Sequence, residues 1–341
     1  MSLQILWFIL WGILWAAYFM LDGFDLGAGI LYGLLGRNTE ERAAIRRTLG
    51  PVWDGNEVWL ITAGGATFAA FPVVYASMFS FLYLALLLIL FALIFRGAAL
   101  EFRAKGSGAA WTKTWDASIA VASFLLALLF GVAFGNIFRG LPFDGQGYHG
   151  TLLSLLNPYG LLTGLLFVLM FGVHGGLWVG LKTKGELSRR AIRTAGALWY
   201  GLAAAASGFL AATYFATSLG ANYTRHPVWL IVPILAVVFL AAVKLWAGQM
   251  KTGLAFAASS AMIVLVTFTG IIGLFPNLIP SRLDPASSLT VFNSSSSPYT
   301  LKIMTVVALV FVPIVIGYQI WIYRVFRHKT AVGEKSDSLD Y

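Results

Sequence analysis

Residues 5–35 read ILWFILWGILWAAYFMLDGFDLGAGILYGLL, an uninterrupted apolar run carrying two charges, Asp22 and Asp25. A helix needs about 20 predominantly apolar residues to cross a bilayer. This run exceeds that length and is expected to tilt or to continue past the membrane. It lacks the alternation of apolar and polar residues that marks a barrel strand. Working outward, eight further runs of spanning length follow, at 51–73, 76–96, 117–137, 158–181, 195–218, 228–248, 255–279 and 302–325. The expected fold is an all-α integral membrane protein of about nine transmembrane helices. It forms a single polytopic domain over 1–341 that ends in a polar tail, 326–341. Equivalent orientations recur every four helices, so two four-helix bundles plus one helix is the expected arrangement.

Composition agrees. Hydrophobic residues make up 59% of the 341 and charged residues 11%, against about 25% charged in soluble domains, and mean hydropathy is +0.81. Such a chain cannot clothe a water-facing surface, so its backbone must be satisfied internally by helices or a closed barrel. There is no cysteine, which excludes disulfides, thiolate metal sites and cysteine nucleophiles. The net charge of +9 is spread over short loops, a pattern that does not suit nucleic acid. Of the 23 Lys and Arg, all but Arg139, Arg225, Arg282 and Lys302 fall on alternate loops and on the C-terminal tail. The positive-inside rule then puts the N-terminus outside and the C-terminus in the cytoplasm. The opening MSLQILWFIL has no basic n-region and reads as the start of the first membrane helix, not a cleavable signal.

The residues that can carry chemistry are few. Asp22 and Asp25 lie three apart, hence on one helix face. A charge in mid-membrane costs about 2.5–3.5 kcal/mol on insertion scales, so both should face protein or a wet cavity. Gly23 and Gly27, then Gly29 and Gly33, are spaced to admit a neighbouring helix. Asp54 and Glu57 repeat the spacing at the start of the second helix, beside Trp53. Asp54 there is also placed to cap the helix or meet its dipole. The two pairs fall on the inner half of one antiparallel hairpin. The pattern suits a protonatable relay; buried carboxylates that merely bridge backbone or pair with arginine are the structural alternative. A four-carboxylate metal cage would ordinarily add Glu-x-x-His pairs, which are absent. Arg96, Glu101, Arg103 and Asp116 are expected at the inner ends of the third and fourth helices, as a solvated ion-pair cluster or as a continuation of the acidic path. His174 is the one histidine inside a span. It is a possible haem ligand, although a lone helix histidine among glycines is more often packed and hydrogen-bonded.

Four stretches, DGFDLGAGILYGLLGR (22–37), GPVWDGNEVWLITAGGATFAAFPVVYA (50–76), FGVAFGNIFRGLPF (130–143) and LNPYGLLTG (156–164), resemble the membrane signatures of subunit II of cytochrome bd-type quinol oxidases. Residues 200–341 match more loosely, through hydropathy and FPNLIPS (275–281). The resemblance implies one subunit of a quinol:O2 oxidoreductase in a bacterial or archaeal cytoplasmic membrane, generating proton-motive force. It implies two b-type haems and haem d, all ligated by a partner subunit I, and no haem ligand from this chain. Quinol or quinone, membrane lipids and small accessory transmembrane subunits are the other implied partners, with no nucleic acid. Carried over by motif, it implies a proton path through Asp25, Asp54 and Glu101, to which the residue reading adds Asp22, Glu57 and the adjacent Trp53. It also suggests a role for a terminal tyrosine, here Tyr341. The rival reading from the same acids is a stand-alone proton- or cation-coupled transporter.

Overall fold

The computed structural model describes residues 2–333; Tyr341 lies outside them. The chain begins with α1 (Leu3–Ile30), whose first turn is capped by the Ser2 hydroxyl. Two short helices follow on one side of the protein, α2 (Tyr32–Leu35) and α3 (Thr39–Leu49). In α3 the Asn38 cap, Glu40 and Glu41 in the first turn and Arg46 and Arg47 in the last all complement the helix dipole.

The next helices are α4 (Trp53–Ala70), α5 (Pro72–Phe81) and α6 (Tyr83–Phe102). Proline disfavours helical geometry in the residue before it and has no N–H to donate. Phe71 accordingly leaves the helical region (φ −135°, ψ 63°), and α4 and α5 meet at a bend of 119°. The bend lies inside the run expected at 51–73. The third long helix occupies 83–102, against the 76–96 expected.

The remainder comprises α7 (Ala109–Arg139), α8 (Pro158–Lys182), α9 (Gly185–Ala216), α10 (Gly220–Arg225), α11 (Ile231–Gly248), α12 (Thr252–Leu274) and α13 (Pro298–Val325). Among the described residues eight helices are long and apolar enough to cross a membrane, and the bent pair α4–α5 supplies a ninth. Short antiparallel hairpins, Phe143–Asp144 with Gly147–Tyr148 and Asn277–Ile279 with Leu289–Thr290, fold over one end.

Helices α1, α4, α6 and α7 pack as one group, and α8, α9, α11 and α12 as a second. The groups join where α8 lies against α1 and α7. Glycine makes the α1–α8 crossing possible. A Cβ on Gly27 would overlap the Phe171 carbonyl oxygen, and one on Gly175 the backbone of Gly27 and Ala28. The expected glycine pairs therefore divide: Gly23 and Gly27 face α8, Gly29 faces Ser123 of α7, and Gly33 meets nothing. Because backbone stands in the way, Gly27→Val should cost at least about 3 kcal/mol, the upper range for overpacking. Thermal unfolding of the purified protein checks this against Gly64→Ala, a position with open space; equal midpoints would contradict it.

The ninth span differs from the rest. Along the 28 residues of α13 only Leu301 is buried. Trp7 ties its first turns down by donating to the Leu301 carbonyl and the Thr305 hydroxyl, both at 3.1 Å. On the side of α2 and α3, Arg190 of α9 meets Glu41 of α3 at 2.6 Å, tying that short helix to the second group. That hydrogen bond holds the Glu41 carboxyl below its ordinary range.

Candidate functional site

Three of the four acids of the expected hairpin converge. Asp22 and Asp25 point from α1 into the protein and are fully buried. Glu57 of α4 reaches the same place and keeps about a fifth of its side chain exposed (21%). The group that joins them is Arg96 of α6, 1% exposed. Its Nη2 lies 3.3 Å from Asp22 Oδ1, and its Nη1 is ion-paired with Glu57 Oε1. A guanidinium presents its donors in a fixed planar fork, and here the fork bridges two helices from a third.

Asp25 sits in a second branch of the network. Asn56 of α4 donates to Asp25 Oδ2 at 2.6 Å and to the Leu21 carbonyl at 3.2 Å. The Asn56 carbonyl oxygen accepts from Gln319 and from the Tyr323 hydroxyl, each at 2.9 Å. Gln319 in turn accepts from the Trp59 indole at 2.6 Å. The sparsely packed α13 is thus fastened to α4 by polar contacts beside the buried acids. Asp22 Oδ2 and Asp25 Oδ1 find no hydrogen-bond donor among the described residues. Buried polar atoms of this kind are ordinarily satisfied by ordered water.

The other expected site residues lie outside the cluster. Asp54 is exposed and accepts from the backbone of Gly55 at 2.7 Å, in the first turn of α4. Glu101 is exposed near the end of α6. Trp53 packs its ring over Gly97 of α6. Of the ion-pair group expected at the inner ends of two helices, Arg103 and Asp116 do pair, at 2.6 Å. Arg96 does not join them. Because α6 runs to Phe102, Arg96 lies inside the helix, not at its end. An arginine in the apolar stretch ALIFRGAAL is itself a signal that a buried acid must be near. Asn56, Gln319 and Tyr323 carry no such mark.

His174 has both ring nitrogens engaged. Nε2 faces the Met20 carbonyl at 3.0 Å and Nδ1 the Ser259 hydroxyl at 2.6 Å. A carbonyl only accepts, so the ring proton belongs on Nε2. The ring also stacks on Phe256, 4.6 Å between centroids and 5° between planes. These contacts fit a structural histidine. Among the described residues no group of three or more His, Cys, Asp or Glu could hold a metal ion.

The sequence matches the family model described as cytochrome bd terminal oxidase subunit II over residues 3–326. The chain belongs to this family. As a subunit II chain it is 38% identical to cytochrome bd ubiquinol oxidase subunit 2 of Bacillus subtilis (strain 168), over 97% of each chain. It is 37% identical to cytochrome bd-I ubiquinol oxidase subunit 2 of Escherichia coli (strain K12), over 94% of this chain and 93% of that one. A chain in the solved structure of bd oxidase from Geobacillus thermodenitrificans shares the fold at 17% identity, with a TM-score of 0.78 over 96% of this chain and 99% of that one. The family match therefore extends across residues 200–326, where the motifs are thin. These relatives are components of an oxidoreductase, and this subunit II chain is a component of the same kind.

Proposed function

We propose that this chain is the subunit of a bd-type quinol oxidase that supports the haem-bearing subunit I and conducts protons toward its oxygen-reducing site. The observation that carries the reading is the Asp22–Arg96–Glu57 cluster with Asp25 beside it. It holds three carboxyl groups against one guanidinium. Uncompensated charge in a dry interior costs several kcal/mol, so the cluster is suited to hold protons and pass them on. Glu57 keeps about a fifth of its side chain exposed (21%), and Asp54 lies three residues before it at the start of α4. The proposed path runs from exposed Asp54, with Glu101 as a second surface acid, through Glu57 to Asp22 and Asp25. Trp53 packs at its edge.

In this reading the N-terminus is outside, and the polar tail 326–341 and the starts of α4 and α7 are cytoplasmic. Protons used in making water come from that side, so quinol oxidation contributes to proton-motive force in a bacterial or archaeal cytoplasmic membrane. The two b-type haems and haem d belong to the partner, which supplies the redox chemistry. This chain's residues move protons and hold the partner in place. The partner is proposed to cover the exposed apolar side chains of α6 and α13. Accessory small subunits would dock on the same assembly.

The rival reading, a solitary coupled transporter, would use the same buried acids but does not agree with membership of the subunit II family. Purification of the chain from its native membrane separates the two. An oxidase subunit should bring a second polypeptide and haem absorption in stoichiometric amount; a transporter would come alone and colourless.

A further inference from the structure

A second buried cluster, at the ends of α2, α3 and α6, has the opposite charge balance. Asp116 of α7 accepts from Arg42 Nη1 at 2.8 Å, from Arg103 Nε at 2.6 Å and from the Tyr32 hydroxyl at 3.0 Å. Arg46 donates to the oxygen of Tyr32 at 2.5 Å. Two guanidinium groups thus meet one carboxylate directly, and a third, Arg46, reaches it through Tyr32. Arg46, Arg103 and Asp116 are each more than nine-tenths buried, and Arg46 Nε and Arg103 Nη2 find no acceptor among the described residues. Unbalanced charge at such depth calls for a counter-ion.

Of this cluster, Arg42 and Asp116 line a groove of about 590 Å³ together with Thr39, Ser107, Thr112 and Lys113, while Arg46 and Arg103 lie behind them. Lys113 brings a fourth cation. The 31-residue α7 begins at the groove with no side chain capping its first turn, so its free N–H groups add positive potential. Asp116 is itself a repulsive neighbour for an anion, but two arginines already neutralise it. The groove continues along α7 over Ala117 and Ala120, with Gly33 opposite. Those small residues leave space beside a membrane-spanning helix, where a hydrocarbon chain can lie.

We infer that this groove binds an anionic phospholipid, its phosphate held by Arg42 and Lys113 at the start of α7 and one acyl chain laid over Ala117 and Ala120. Free phosphate would satisfy the cations equally. The channel of small residues running into the spanning part of α7 favours the lipid.

Native mass spectrometry of the purified complex in detergent, titrated with phosphatidylglycerol or phosphatidylcholine, tests the inference. The wild-type complex should retain phosphatidylglycerol in preference to phosphatidylcholine. Lys113 is exposed, so K113A should fold normally and weaken retention roughly fivefold, the effect of one surface cation near anionic lipid. K113E should weaken it further, and K113R should restore it. Equal retention by wild type and K113E, or equal binding of the two lipids, would overturn the inference. So would displacement of the lipid by an equal concentration of inorganic phosphate, which would assign the groove to the free ion.

Discussion

Asp25→Asn in the assembled oxidase is expected to slow oxygen consumption by on the order of 10²-fold, the lower end of what a positioned proton-transfer group contributes, with haem content unchanged. Asparagine keeps the shape of aspartate and still offers an oxygen to Asn56, which donates to Asp25 Oδ2 at 2.6 Å. What it loses is the capacity to take up and release a proton. Glu57→Gln should behave alike, because its amide can still accept from Arg96. Asp54→Asn and Glu101→Gln should have smaller effects, since both residues are exposed and water can replace them as donors. The measurement is quinol-driven oxygen uptake, normalised to haem by optical spectrum. Wild-type rates in both Asp25→Asn and Glu57→Gln would reduce the cluster to a structural ion-pair network.

Arg96→Leu should be the most damaging single substitution to stability. The guanidinium is 1% exposed and contacts acids on two other helices. Its removal strands Asp22 and Glu57 without their cation. Breaking a buried pair from one side costs about 3–5 kcal/mol, because the remaining charge is left uncompensated. Most of that penalty belongs to the orphaned acids, so neutralising them should recover it. Arg96→Leu combined with Asp22→Asn and Glu57→Gln is expected to unfold at a higher temperature than Arg96→Leu alone. A thermal melt of the purified complex, followed by haem release or light scattering, reads both. An Arg96→Leu protein as stable as wild type, or a triple variant no better than the single, would contradict the coupling.

The sequence revealed the membrane class and the acidic hairpin for a direct reason. Hydropathy over twenty residues is a local property, and a charge inside such a run is conspicuous. The shift of the third helix was hidden for the converse reason. Between Pro51 and Arg103 the chain is almost continuously apolar, so no dip in hydropathy marks the turn. The break is set by Pro72 acting on Phe71 and by packing. That displacement moved Arg96 from an expected surface position to the centre of the site. Gln319 and Tyr323 lie more than 260 residues from Asn56, and nothing local announces that α13 returns to α4. His174 looked like a possible ligand because sequence shows a residue type and not its partners. Met20 and Ser259, which occupy its two nitrogens, come from helices far apart in the chain.

The most direct test is proton uptake from the cytoplasmic side, followed with a pH indicator during a single turnover of the oxidase sealed in vesicles. Uptake in Asp25→Asn and Glu57→Gln should slow in parallel with oxygen reduction while the haems stay fully occupied. Uptake at the wild-type rate in both variants would show that protons reach the redox centre without passing these carboxyl groups.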